Sequence, residues 1–145
     1  MRVLVQRVKN ATVVVDNKIN GIIDRGLLLF VGFTEGDDKA KIDSIIKKIL
    51  NLRIFDDNDG IMNLSVLDIS GSILSVSQFT LYADTSGGNR PSYKKALKPI
   101  KARLLYDYFN NKLSEYIKVE TGVFGSDMQV SLVNDGPVTI MLERE

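Results

Sequence analysis

Residues 27–33 read Leu-Leu-Leu-Phe-Val-Gly-Phe, an apolar run without a polar position. A strand with one wet face alternates in polarity, so a strand lacking that alternation is covered on both faces. The chain must therefore place material on both sides of a sheet. Upstream, residues 2–8, Thr12–Val15 and Ile19–Ile23 are also rich in β-branched residues, and Asp16-Asn17-Lys18 and Asp24-Arg25-Gly26 separate the later runs. Four strands at such short spacing predict an antiparallel meander.

Helical spacing begins after this block. Asp37-Asp38 opens a helix, and Ile42, Ile45, Ile46 and Ile49 form one apolar stripe with Lys41, Lys47 and Lys48 largely off it. Arg53-Ile54-Phe55 reads as a short strand or an extended exit from the helix. Asp56-Asp57-Asn58-Asp59-Gly60 resembles the start of a calcium loop, but its glycine spacing is wrong and no closing glutamate follows. Ile73–Leu81 reads as a central strand, Tyr82–Arg90 as a loop, and Pro91-Ser92 as the start of a short helical piece. Pro99 suits the first position of a helix to about Tyr116, with Ile100, Leu104, Tyr108 and Phe109 as its buried face. Two further strand runs, Met128–Val133 and Val138–Leu142, are joined by Asn134-Asp135-Gly136-Pro137-Val138-Thr139. The pattern predicts a mixed α/β fold close to α+β, one domain over residues 1–145, with helices layered on one side of sheet.

The chain has 145 residues, no cysteine and no histidine. That removes disulfides, thiolate nucleophiles, the imidazole general base and the usual zinc ligands together. No cofactor or metal is expected. Chemistry would have to come from hydroxyls, carboxylates, lysines, backbone groups or a substrate. The first residues lack the apolar core of a signal peptide, and no apolar run reaches the ~18–20 residues that span a bilayer. A cytoplasmic protein without membrane contact is expected.

Three places break local rules. Alternation along Ile73–Leu81 sets Ser75, Ser77, Phe79 and Leu81 on one face and Val76, Gln78 and Thr80 on the other. Those polar groups are either satisfied by neighbouring backbone or line a site, since burying them unpaired costs roughly 1–3 kcal/mol each. Lys94, Lys98 and Lys101 fall at i, i+4, i+7, with Arg90, Lys95 and Arg103 nearby. On a continuous helix this is either a phosphate-facing stripe or a solvated face. Lastly, Pro137 stands directly before a β-branched run, where it cannot donate to a ladder. Asn134–Thr139 is either a plain surface turn or something more particular.

Over essentially its whole length the chain resembles the D-aminoacyl-tRNA deacylases, formerly called D-tyrosyl-tRNA deacylases. The resemblance rests on Met1–Val8, Arg53-Ile54-Phe55 and Met62-Asn63. It is strongest in Ser77-Gln78-Phe79-Thr80-Leu81, Gly88-Asn89-Arg90-Pro91-Ser92, Gly122 with Phe124-Gly125 and Met128, and Asn134–Thr139. Ile61 departs from the basic residue of many relatives, and Ser126 from a frequent alanine.

The resemblance implies a three-layer β/β/α, barrel-like fold with two β-sheets, assembled as a homodimer. It implies hydrolysis of the ester between a D-amino acid, or glycine mischarged on tRNA-Ala, and the terminal adenosine of tRNA. Ser77, Gln78, Phe79 and Thr80 would form the catalytic pocket wall. A cis Gly136-Pro137 bond would reach into the partner's site, with Val138 and Thr139 anchoring it and Arg7 holding it in place. Arg90, Lys94, Lys98 and Lys101 would meet the RNA backbone; no DNA partner is expected. Two other readings remain: an inactive nucleic-acid-binding homologue, and a structural homodimer that uses the Gly-Pro turn as an interface hook.

Overall fold

A single long strand, β1 (Arg2–Val15), runs through the large sheet. The computed structural model describes residues 1–145. β1 pairs antiparallel with β2 (Lys18–Ile23) along Ala11–Val15 and with β3 (Gly26–Gly32) along Arg2–Val8. The pair Ala11–Ile23 leads to Val8–Gly26 with three residues spent on each strand, so β2 and β3 follow one register. The expected four-strand meander is therefore one long hairpin. Its turn is Asp16-Asn17, both at positive φ, a conformation asparagine and aspartate tolerate better than most residues. The predicted break between residues 8 and 12 is spent on an irregularity within β1 and not on a turn.

β3 is buried on both faces, as its composition requires. Leu27, Leu29 and Val31 enter one core, and Leu28 and Phe30 enter or pack against another. The larger core lies under two helices, α1 (Lys39–Asn51) and α2 (Pro99–Ser114). α1 connects β3 to the parallel strand β6 (Ser72–Ser77), and α2 connects β6 to the parallel strand β7 (Val119–Thr121). Parallel neighbours need long crossovers, and both crossovers here carry their helix to the same side.

The α1 stripe Ile42, Ile45, Ile46 and Ile49 is buried as predicted. Asp38 caps this helix, its carboxylate accepting from the Lys41 N–H at 2.9 Å. α2 differs from expectation. Its buried residues are Ala102, Tyr106, Phe109 and Leu113, while Ile100 and Leu104 are 82% and 67% exposed. Tyr108 sits at the edge and donates to Asp43. The two aromatic rings fill the core, and burying them turns Ile100 and Leu104 outward.

The small second sheet is an antiparallel pair, β4 (Phe55–Asp56) and β5 (Met62–Leu64). The acidic loop between them is a turn closed on itself: an Asp57 carboxylate oxygen accepts from the N–H of Asp59 and Ile61 at 2.9 and 3.0 Å. The Ile61 bond leads in holding the Asp57 carboxyl below its ordinary value. The result is a mixed α/β fold with a nearly closed, barrel-like large sheet. No helix is long and apolar enough to cross a membrane.

β8 (Gln129–Glu143) runs antiparallel along β1. Between Gln6–Thr139 and Val8–Asn134 the ladder takes two steps on β1 and five on β8. Asn134–Thr139 is thus a wide bulge within one strand, not a turn between two strands. The flanking runs continue in one direction along the same neighbour.

Candidate functional site

The strand that ends the site is shorter than its composition suggested. β6 stops at Ser77, and Phe79–Tyr82 form a single 3-10 turn. Gln78 makes the last ladder bond, its N–H donating to Val31 O at 2.8 Å. Strand alternation therefore does not reach Phe79, Thr80 or Leu81. The turn is held from below by Arg2, whose Nη1 donates to Leu81 O at 2.7 Å and whose guanidinium lies 4.7 Å from the Tyr82 ring centroid. Burial, followed by the nearby Asp37 charge, pushes the Tyr82 phenol up to about 12. Such a short turn leaves its first N–H groups without an internal acceptor. No carbonyl of the turns, loops or caps accepts from the N–H of Phe79 or Thr80.

Ser77, Gln78 and Phe79 border a cavity of about 690 Å³. Its floor includes Val76, Phe124, Met128 and Val130, and Tyr93, Lys94 and Lys98 border it too. Lys94 and Lys98 are the charged residues of this lining, and no carboxylate belongs to it. Thr80 lies outside the lining, and its hydroxyl is hydrogen-bonded to the Gln78 side-chain amide. Ser75 is fully buried; its carbonyl accepts from the Tyr106 hydroxyl at 2.8 Å and from the Gly122 N–H at 3.1 Å. Desolvation raises the Tyr106 pKa. Ser75 thus belongs to the support of the site and does not face the cavity.

The segment that carries the lysines is irregular, with a turn at Lys94-Lys95, up to Lys98, which precedes the first turn of α2. The predicted lysine stripe on one helix face does not form. Pro91-Ser92 likewise begins no helix; Ser92 pairs with Asp84 in an isolated bridge. The strap is pinned at its far end by Leu97 N–H to Phe33 O at 2.9 Å. Lys95 is paired with Asp84 at 3.0 Å and Lys101 with Glu35 at 3.5 Å. Contacts from Ser86 come first among the causes that hold the Asp84 carboxyl far below its ordinary range, with Lys95 adding to them. Lys94 and Lys98 have no such partner. Arg90 is exposed on the preceding loop and does not line the cavity.

Gly136 and Pro137 are exposed at the crest of the bulge in β8, joined by a cis peptide bond. Arg7 lies beneath them, 7% exposed. Its Nε donates to Asp135 O at 3.0 Å and its Nη1 to Ile54 O at 2.8 Å, and the Asp56 and Asp135 carboxylates lie at 3.6 and 3.7 Å. Asn134 closes the bulge from within: its Oδ1 accepts from Val138 N–H at 2.9 Å and its Nδ2 donates to Thr139 Oγ1 at 2.8 Å. None of Arg7, Gly136, Pro137, Val138 or Thr139 lines the cavity of its own chain. The predicted site residues therefore fall into two groups, one around the cavity and one around the bulge.

Sequence reasoning assigned no role to Arg2, Gly32 or Tyr93. Gly32 ends β3 so close to the turn that a Cβ there would stand 2.8 Å from Gln78 O. The one available signal for Tyr93 was its place directly after Pro91-Ser92.

The family model for D-Tyr-tRNA(Tyr) deacylase matches residues 4–143. Among solved structures, a c-Myc DNA unwinding element binding protein is 38% identical, with a TM-score of 0.95 over 100% of this chain and 99% of that one. A probable eukaryotic D-amino acid tRNA deacylase is 19% identical, with a TM-score of 0.82 over 97% of each chain, a likeness of fold.

Proposed function

The chain belongs to the D-Tyr-tRNA(Tyr) deacylase family and is a D-aminoacyl-tRNA deacylase, and from that premise we propose that the cavity beside Ser77–Phe79 receives the aminoacylated 3′ end of tRNA. The observation that supports this most is the charge of the lining: Lys94 and Lys98, with no carboxylate. Such a lining favours a polyanion and disfavours a cation.

The mechanism follows from what the chain lacks. An aminoacyl ester is already activated, so no strong base is required. Water bonds to the carbonyl carbon, and the resulting oxyanion is met by the free N–H groups of Phe79 and Thr80. The C–O bond to the ribose then breaks. The water's proton passes through the neighbouring ribose hydroxyl to the departing oxygen, since neither a carboxylate nor an imidazole lines the cavity to take it. Thr80 as a covalent nucleophile would need an adjoining base, and its hydroxyl is instead bonded to the Gln78 amide. Thr80→Ala is expected to retain hydrolysis, within about tenfold of wild type, in a single-turnover assay. A substrate ending in 2′-deoxyadenosine is expected to be hydrolysed far more slowly.

Selection among substrates requires the bulge. Two copies of the chain would pair so that Gly136 and Pro137 of one close the cavity of the other and set their carbonyls beside the substrate's α-carbon. Val138 and Thr139 would hold that segment in its strand, and Arg7 would fix it from below. An L side chain would collide with this wall, whereas a D side chain would point away and glycine would fit. Discrimination by exclusion does not depend on which side chain is present, so activity on many D-aminoacyl-tRNAs and on glycyl-tRNA(Ala) is expected. Equal rates on D- and L-tyrosyl-tRNA would overturn this reading. Arg90 and Lys101 are assigned to backbone contacts farther along the RNA, and work on charged tRNA fits a cytoplasmic location. The likeness to a DNA unwinding element binding protein favours one second reading, nucleic-acid binding without turnover; the same deacylation assay separates the two.

A further inference from the structure

Two large aromatic side chains at the cavity remain unexplained by ester hydrolysis. Phe79 and Tyr93 both line it, yet they are 57% and 42% exposed. Their rings meet edge to face, with centroids 5.1 Å apart and planes at 72°. Two chains of contact hold them in place. Phe79 opens the 3-10 turn that Arg2 pins, and Tyr93 lies on the strap fixed by the Asp84–Ser92 bridge and by the Leu97 bond to Phe33. Aromatic surface left open to water on a well-held backbone is costly unless it meets a partner.

The charges beside it narrow that partner. Of the four lysines between residues 94 and 101, the two turned away from the cavity are paired, Lys95 with Asp84 and Lys101 with Glu35. The two at the cavity, Lys94 next to Tyr93 and Lys98 just before α2, have no carboxylate partner and no side-chain hydrogen bond, and no acid lies on the lining to supply one. Exposed aromatic faces next to unpaired cations along one groove are the pattern by which proteins grip single-stranded nucleic acid, bases on the rings and phosphates on the cations.

The geometry points to a second nucleotide subsite: the face of Tyr93, buttressed by Phe79, stacks the base that precedes the terminal adenosine, and Lys94 and Lys98 hold the phosphates on either side of it. This rests on the assignment of the cavity to the acylated 3′ end. It adds that recognition extends beyond the terminal nucleoside, that it reads stacking and not base identity, and that Tyr93 is its central residue. A free D-aminoacyl-adenosine would occupy the Ser77–Phe79 end of the cavity and leave the Tyr93 end empty.

The test compares two substrates, D-tyrosyl-tRNA and D-tyrosyl-adenosine, with wild type, Tyr93→Ala and Tyr93→Phe, each checked for unchanged thermal unfolding. Removal of a stacking ring is expected to cost Tyr93→Ala about tenfold more in kcat/KM on the tRNA than on the nucleoside, mostly through KM. Tyr93→Phe should recover most of that loss, because the phenyl face stacks as well. Lys94→Gln is expected to flatten the salt dependence of KM for tRNA and to leave that for the nucleoside flat. Equal losses on both substrates would place Tyr93 against the terminal nucleoside and overturn the inference, as would no loss on tRNA. Wild type inactive on both substrates would instead sink the deacylase reading beneath it, so the two failures are distinguishable.

Discussion

At the scale of single residues, two glycines are held to their identity by what lies behind them. Gly136 has φ +121, and a Cβ there would stand 2.8 Å from Arg7 Nη2 and 3.0 Å from Val138 Cγ2. Gly136→Ala is expected to cost about 1–3 kcal/mol in backbone strain, read from the urea midpoint, and to lower activity beyond that by displacing the bulge. Gly32 has no such φ; its constraint is the Gln78 carbonyl oxygen, which would stand 2.8 Å from an added Cβ. Gly32→Ala therefore should move the 3-10 turn, with loss of deacylation larger than the loss of thermal stability. Arg7 uses a fork that lysine lacks, reaching two carbonyls from one guanidinium. Arg7→Lys should leave one of the two unpaired and cost about 1–3 kcal/mol, with hydrogen exchange rising first at Asp135–Val138.

At the scale of elements, α2 separates hydrophobic composition from burial. Phe109 is fully buried while Ile100 is 82% exposed. Phe109→Ala should cost about 3–5 kcal/mol, and Ile100→Ser should stay within about 0.5 kcal/mol of wild type; denaturant titrations of the two variants decide it. The 3-10 turn makes a prediction in pH. The folded Tyr82 phenol sits at about 12, and an unfolded one near about 10. A pKa raised by folding leaves stability intact below the unfolded value and removes it as pH rises through the folded one. Stability should thus fall between about pH 10 and the folded value of about 12, and Tyr82→Phe should flatten that limb in pH-dependent unfolding. Tyr106 is shifted in the same direction by burial, so a residual limb should survive in the single variant.

At the scale of the whole molecule, the cavity and the bulge lie apart in one chain, since neither Arg7 nor any residue of Gly136–Thr139 lines the cavity. If a second copy brings them together, damage to one group in one chain and to the other group in its partner leaves one intact site in a mixed dimer. Phe79→Ala and Gly136→Ala chains, each weak alone, should recover a fraction of wild-type activity when unfolded and refolded together. Recovery no greater than the sum of the two separate activities would place the whole site within one chain. β8 supplies a ready edge for such pairing, with Val133 and Met141 exposed along it.

Much of this was legible without coordinates, and for identifiable reasons. The uninterrupted apolar run of β3 demanded cover on both faces, and the α1 isoleucines declared their stripe, because burial imposes a period on the residues it selects. The absence of histidine and cysteine left hydroxyls, carboxylates, lysines, backbone groups or a substrate as the sources of chemistry. Local composition misled where a long-range contact set the outcome. Phe79-Thr80-Leu81 has strand residues, but beside the close approach of Gly32 and under the grip of Arg2 it forms a 3-10 turn. Ile100 and Leu104 are apolar enough for a core, but Tyr106 and Phe109 occupy it. Asn134–Thr139 has turn residues, but the flanking runs both pair with β1, which makes the same residues a bulge. The sequence by itself determined which residues could be buried and which chemistry was absent. Only the tertiary structure decided where strands end and which apolar residues stay outside, because those depend on partners far away in the chain.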